Sequence, residues 1–146
     1  MREPLPDRRY SWTQRVVIDG QSVYLTVGEY ADGRPGEVFI DVSRQGTFLR
    51  GVMGSLARMI SISLQCGAGI EVVVHALRGL DYPPAGAVVG SPTVESCLSV
   101  TDWIASELCA RYMEAPPQEW TPEESDQVVE PMPERVAGAH TVGSGV

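Results

Sequence analysis

The chain is 146 residues long with a formal net charge of −8, and its cations are eleven arginines with no lysine. The acidity sits at one end: residues 1–113 hold ten arginines against twelve acids, whereas 114–146 holds seven acids and Arg135 alone. Nucleic-acid backbone binding needs clustered cations, a bilayer span needs about 20 apolar residues, and zinc needs Cys or His at ligand spacing; the sequence offers none of these. Residues 1–12 are polar and broken by Pro4 and Pro6, which predicts an extended lead-in. A strand over 15–18 runs into Asp19-Gly20, a pair that tolerates positive φ and predicts a type I′ hairpin. Residues 22–30 alternate, with Val23, Leu25 and Val27 on one face and Tyr24, Thr26 and Gly28 on the other. After the turn residues Asp32-Gly33 and Pro35-Gly36, a third strand over 37–43 turns Val38, Ile40 and Val42 inward. Loops this short favour an antiparallel meander.

From Gly46 the apolar period becomes helical. Leu49, Val52, Met53, Leu56, Met59, Ile60 and Leu64 recur at three- and four-residue steps, and Gly67 suits the left-handed position beyond the helix end. Gly51, Gly54, Ser55 and Ala57 predict close approach of another backbone. A second helix is expected over 70–78, stopping at Gly79. A third is expected behind Ser91-Pro92, with Ser91 as cap and Pro92 in the first turn. Its stripe would be Val94, Leu98, Thr101, Ile104, Ala105, Leu108 and Tyr112. The fold class is therefore α+β: an antiparallel three-stranded meander followed by about three helices on one face, spanning 13–113. The acidic, proline-rich 114–146 is expected to be disordered, with Trp120 its one anchor.

Chemistry-bearing residues are sparse. Cys66, Cys97 and Cys109 are an odd set, expected as buried structural thiols; on one helix Cys97 and Cys109 would lie roughly 120° apart. His75 lies in an apolar helix and His140 in the tail, so no metal cluster is expected. Arg58, beside the first helix's apolar stripe, reads either as an anion or partner contact or as a packed stem with a solvated head. Glu29, Glu37 and Asp41 offer either an acidic rim or ordinary solvated charges. The turn at Tyr82-Pro83-Pro84-Ala85-Gly86 reads as backbone geometry or as a groove for a partner segment.

Five segments in register carry a resemblance. They are Tyr24-Leu-Thr-Val-Gly-Glu-Tyr-Ala-Asp-Gly33, Gly36-Glu-Val-Phe-Ile-Asp41, Leu56-Ala-Arg-Met-Ile-Ser-Ile-Ser-Leu-Gln-Cys-Gly67, Tyr82-Pro-Pro-Ala-Gly-Ala-Val-Val-Gly90 and Asp102-Trp-Ile-Ala-Ser-Glu-Leu-Cys-Ala-Arg-Tyr112. Together they resemble the TSCPD-type domain that follows the catalytic barrel of adenosylcobalamin-dependent ribonucleotide reductases. Where the family has Ser-Cys-Pro-Asp, this chain has Ser96-Cys97-Leu98-Ser99, so a role tied to that Asp does not carry over. Asp102-Trp103-Ile104 looks instead like the reductase-tail form. The resemblance implies a module of deoxyribonucleotide synthesis, accessory to a separate catalytic chain that would hold the adenosylcobalamin; no cofactor, metal or catalytic residue is expected here. Candidate partner or ligand contacts are Glu37, Arg58, Gly86 and Asp102. A homodimer through the open sheet or the small-residue helix is a further expectation. The alternatives are a nucleotide-binding or protein-interaction regulator and a small redox protein using the cysteines; no nucleic-acid or membrane contact is expected, and the location expected is cytoplasmic.

Overall fold

Alternating sequence and short connections bring three strands together first. β1 (Ser11–Ile18), β2 (Gln21–Glu29) and β3 (Pro35–Val42) are antiparallel neighbours in a computed structural model that describes residues 1–42 and 46–114. Asp19 and Gly20 both have positive φ, 48° and 75°, as the type I′ turn requires. Pairing of Trp12 with Val27 and Thr13 with Thr26 carries β1 upstream to Ser11, beyond the predicted 15–18. Val16, Ile18, Val23, Leu25, Val27 and Val38 are fully buried on the inner face. On the outer face the Thr13 and Thr26 hydroxyls meet across the strands at 2.8 Å.

α1 (Thr47–Gln65) sends Met53, Ala57, Ile60 and Leu64 into the core. Its end has the expected glycine geometry: Gly67 sits at φ 101°, its N–H donates to Leu64 O and Ala68 N–H reaches back to Ser63 O. α1 also seals an exposed sheet edge. Ser61 Oγ accepts from Val38 N–H at 2.9 Å, and Gln65 Nε2 donates to Gly36 O at 3.0 Å, so β3 presents less unpaired backbone to other chains. Ala57 and Ser61 face this contact. The predicted role of the glycines differs: Gly51 and Gly54 have open space where a Cβ would stand, so the helix does not need them for internal packing. α2 (Ile70–Leu77) buries Val73, Val74 and Leu77 and ends before Gly79, at φ 81°.

The region between α2 and the last helix departs from expectation. Instead of a helix starting behind Ser91-Pro92, two short strands form, β4 (Gly86–Val89) and β5 (Ser96–Cys97). β4 pairs with the free edge of β1 through Val17–Val89 and Ile18–Val88, giving a five-stranded antiparallel sheet in the order β3-β2-β1-β4-β5. Gly90 turns the chain at φ 109°, where a Cβ would stand 3.1 Å from Arg15 O. Ser91 does cap amides, those of Thr93 and Val94, but within a turn rather than a helix. Satisfying the open edge of β1 outweighs the local helical pattern here.

α3 (Val100–Cys109) follows with Ser99 as cap, and a π-helical turn, Ala110–Glu114, continues it. Trp103, Ile104, Ala105 and Leu108 are fully buried, while Leu98, expected on the same stripe, is exposed outside the helix. Residues 1–10 lack regular structure but are tied down: Glu3 N–H donates to Gln65 O, and Tyr30 Oη donates to Glu3 O at 2.6 Å. No helix of the described residues is long and apolar enough to cross a membrane. The expected disordered tail, Trp120 and His140 lie outside the described residues.

Candidate functional site

The meander, the α1–α2 turn and the end of α3 enclose an open cleft of about 710 Å³. β1 supplies Trp12 and Gln14, a bulge at the end of β2 turns Glu29 into it, and the following loop adds Asp32 and Arg34. Residues 67–71 form another wall, with Pro92, Thr93, Glu107, Arg111 and Tyr112 opposite. A polar cluster closes its floor. Trp12 Nε1 donates to Tyr112 Oη at 2.9 Å, Tyr112 Oη donates to the Glu29 carboxylate, and Arg111 stands 3.8 Å from that carboxylate and 5.5 Å over the Trp12 ring.

Burial, reinforced by the Glu29 carboxylate, pushes the Tyr112 phenol well above its ordinary range, so it stays protonated and acts as a donor. Glu107, also buried, accepts from Trp103 Nε1 at 3.2 Å and from the Ser91 hydroxyl. At the rim, the Arg34 backbone N–H and then its guanidinium hold Asp32 below the usual carboxylate range. The cleft thus has two arginines, an aromatic pair and several carboxylates, but no thiol or imidazole to act as a nucleophile or radical carrier. Such a set can bind and orient a polar ligand.

The cysteines do not converge. Cys66 is exposed, against the expectation of burial, because it caps the outer end of α1. Cys97 lies in β5 rather than on the helix with Cys109, and burial followed by the Asp102 carboxylate pushes its thiol up. Among the described residues no group of three or more His, Cys, Asp or Glu side chains is placed to hold a metal ion.

The four residues singled out from sequence are dispersed. Glu37, buried on the outer face of β3, is ion-paired with Arg9 and lies across Gly28, where a Cβ would stand 2.6 Å from Glu37 Cγ. Arg58 sits on the exposed side of α1. Gly86 and Asp102 both adjoin β5. Gly86 pairs with Cys97, while Asp102 accepts from Gly79 N–H at 2.7 Å and Leu98 N–H at 2.9 Å. Ser99 completes that junction, accepting from Asp102 N–H at 3.0 Å and donating to Leu80 O. The pattern Ser99-Val-Thr-Asp102 is a capping signature that fixes the true helix start. The Glu29–Tyr112 pair had no such local signal, since 83 residues separate its members.

A second surface stands out on α1. Phe48, Val52 and Met59 are 84%, 45% and 60% exposed, with Gly51 and Ser55 beside them.

Known proteins bear on these surfaces. The family model described as TSCPD domain matches residues 2–112. Among similar curated proteins, the vitamin B12-dependent ribonucleotide reductase of Bradyrhizobium diazoefficiens is 40% identical over 112 residues, covering 77% of this chain and 9% of that protein. The protein of the same name from Agrobacterium fabrum is 39% identical over the same coverage. That from Streptantibioticus cattleyicolor is 31% identical over 113 residues, covering 77% of this chain and 19% of that protein. The chain therefore spans only a small fraction of the length of these relatives. No solved structure matches it.

Proposed function

The chain belongs to the TSCPD domain family, and from that premise we propose that it serves as a ribonucleotide reductase module in deoxyribonucleotide synthesis, working beside a separate catalytic chain in the cytoplasm. The observation that carries this reading is one of coverage. The shared segment takes in nearly all of the described fold, yet makes up 9% of a reductase relative. Ribonucleotide reduction needs a thiyl radical on one cysteine, a pair of reducing cysteines and a water-excluding barrel. The cleft described above has no thiol, and it opens to solvent.

Adenosylcobalamin supplies the radical in that chemistry. The cleft's donor set of carboxylates, arginines and aromatics does not fit a radical-handling corrinoid site, which supports a reading in which the catalytic chain holds the cofactor. What this chain's own residues do is hold shape. Asp102 and Ser99 lock α3 to the end of α2, and Tyr112 ties α3 to β2. The test is association: the full chain mixed with an adenosylcobalamin-dependent reductase chain lacking its own matching segment should form a stable complex by sedimentation.

A second reading, a nucleotide-binding regulator, draws on the cleft. Arg111 over Trp12 and Arg34 at the rim provide cations and a stacking surface of the kind a nucleotide uses. Titration calorimetry with ribonucleotides and deoxyribonucleotides separates the two readings: saturable binding together with no reductase complex favours the regulator.

A further inference from the structure

We propose that the cleft takes a guanidinium cation, held by the Glu107 carboxylate and the Gln14 amide oxygen. The inference goes beyond both readings above and depends on neither. It gives the cleft a ligand opposite in charge to a nucleotide phosphate.

Charge in the cleft is unbalanced. Its walls carry four carboxylates, Glu29, Asp32, Glu71 and Glu107, against two arginines. Both arginines are already engaged: Arg34 Nε stands 2.7 Å from Asp32, and Arg111 stands 3.8 Å from Glu29. Glu71 lies in the first turn of α2 and is exposed, so solvent serves it. Glu107 differs. It is only 6% exposed, and among the described residues no arginine or histidine forms an ion pair with it. Burying a carboxylate is costly unless a cation pairs with it.

The hydrogen bonds point the same way. Ser91 Oγ and Trp103 Nε1 both donate to Oε1 of Glu107, while Oε2 accepts from none of the described residues. Gln14 spends its Nε2 on two carbonyls, Arg15 O at 2.9 Å and Gly90 O at 2.8 Å, which leaves its Oε1 as the atom open to a ligand. Gly90 and Ser91 are consecutive, so a single turn seats both side chains on the cleft wall. That turn is itself held by the Thr93 and Val94 amides bonding Ser91 Oγ. The ligand therefore meets two acceptors, one of them charged. A guanidinium brings a planar fork of N–H donors and a charge that does not titrate. A phosphate brings only acceptors, and would face acceptors here. Trp12 and Tyr112 line the same cleft and add aromatic surface, on which a cation is favoured.

A guanidinium can arrive on a small free molecule or on an arginine side chain of another polypeptide, and the probes separate these sources. The full chain is titrated calorimetrically with agmatine, with N-acetyl-arginine methylamide, and with the neutral isostere N-acetyl-citrulline methylamide. The same titrations are run on Glu107→Gln and on Glu71→Gln, with near-ultraviolet dichroism and thermal melting to confirm each fold. The expected result is saturable binding of an arginine-type probe with a Kd of about 1 mM or tighter. The citrulline probe should bind about tenfold more weakly or worse, a comparison made on the native chain that needs no variant to fold. Glu107→Gln should weaken binding by about tenfold or more, and Glu71→Gln by no more than about twofold. Tighter binding of agmatine would assign a free cation, and tighter binding of the capped arginine a polypeptide side chain. The proposal is overturned if neither cation binds, if citrulline binds as well as arginine, or if Glu107→Gln binds no worse than Glu71→Gln. Each of those results leaves the sedimentation test of the module and the nucleotide titrations standing.

Discussion

The two sides of α1 have similar apolar content and opposite fates. The inner side, Met53, Ala57, Ile60 and Leu64, is buried in the core, and its neighbour Ser61 bonds the edge of β3. The outer side, Phe48, Val52 and Met59, is exposed among the described residues. The contrast shows that hydrophobic content alone does not reveal what a helix is for. One stripe explains why the domain folds, and the other lies outside that core.

The sharpest way to break this contrast is truncation on each side. Ile60→Ala on the inner side should cost about 2–5 kcal/mol in urea unfolding, the usual loss for a large-to-small change in a packed core. Met59→Ala, the adjacent residue on the outer side, should stay within about 0.5 kcal/mol of the native chain. Equal losses would mean that the outer face is covered in the isolated protein. Asp102→Ala falls between them. It strips the acceptor from two backbone N–H groups and undoes the Ser99 junction, with an expected loss of about 1–3 kcal/mol. Ser61→Ala should cost about 1 kcal/mol by freeing the β3 edge, and is best read from faster amide exchange at Val38.

The smallest effect is one of pH. The Tyr112 phenol is pushed above its ordinary value of about 10 by burial and by Glu29. In the alkaline range the unfolded chain gives up this proton while the folded chain retains it. The stabilisation is therefore complete below about pH 10 and is lost progressively as pH rises above it. Tyr112→Phe should flatten the decline above about pH 10 relative to the native chain, as measured by urea melts. An unchanged slope would show that Tyr112 does not titrate differently in the two states.

Much of the architecture could be read from local pattern, because the governing forces were local. The alternation of Val23, Leu25 and Val27, the Asp19-Gly20 turn and the Gly67 helix end all act within a few residues, and all appear as expected. β4 and β5 were missed for the opposite reason. They are four and two residues long, with little room for alternation, and β4 exists to satisfy the β1 edge at Val17 and Ile18 far upstream. The capping pattern at Ser99 and Asp102 was present in the sequence and would have placed α3 correctly. Cys66 was misjudged because a cysteine at a helix end faces whichever way the turn leaves it, which composition does not tell. The cleft was invisible from sequence, since Trp12, Glu29 and Tyr112 converge only through tertiary contacts.

The proposed division of labour between a shape-holding module and a radical-handling chain can be tested in one tube. The isolated chain is incubated with CDP, adenosylcobalamin and a dithiol, and deoxynucleotide is assayed by chromatography. The account predicts no product until a catalytic chain is added. Formation of dCDP by this chain alone would contradict it.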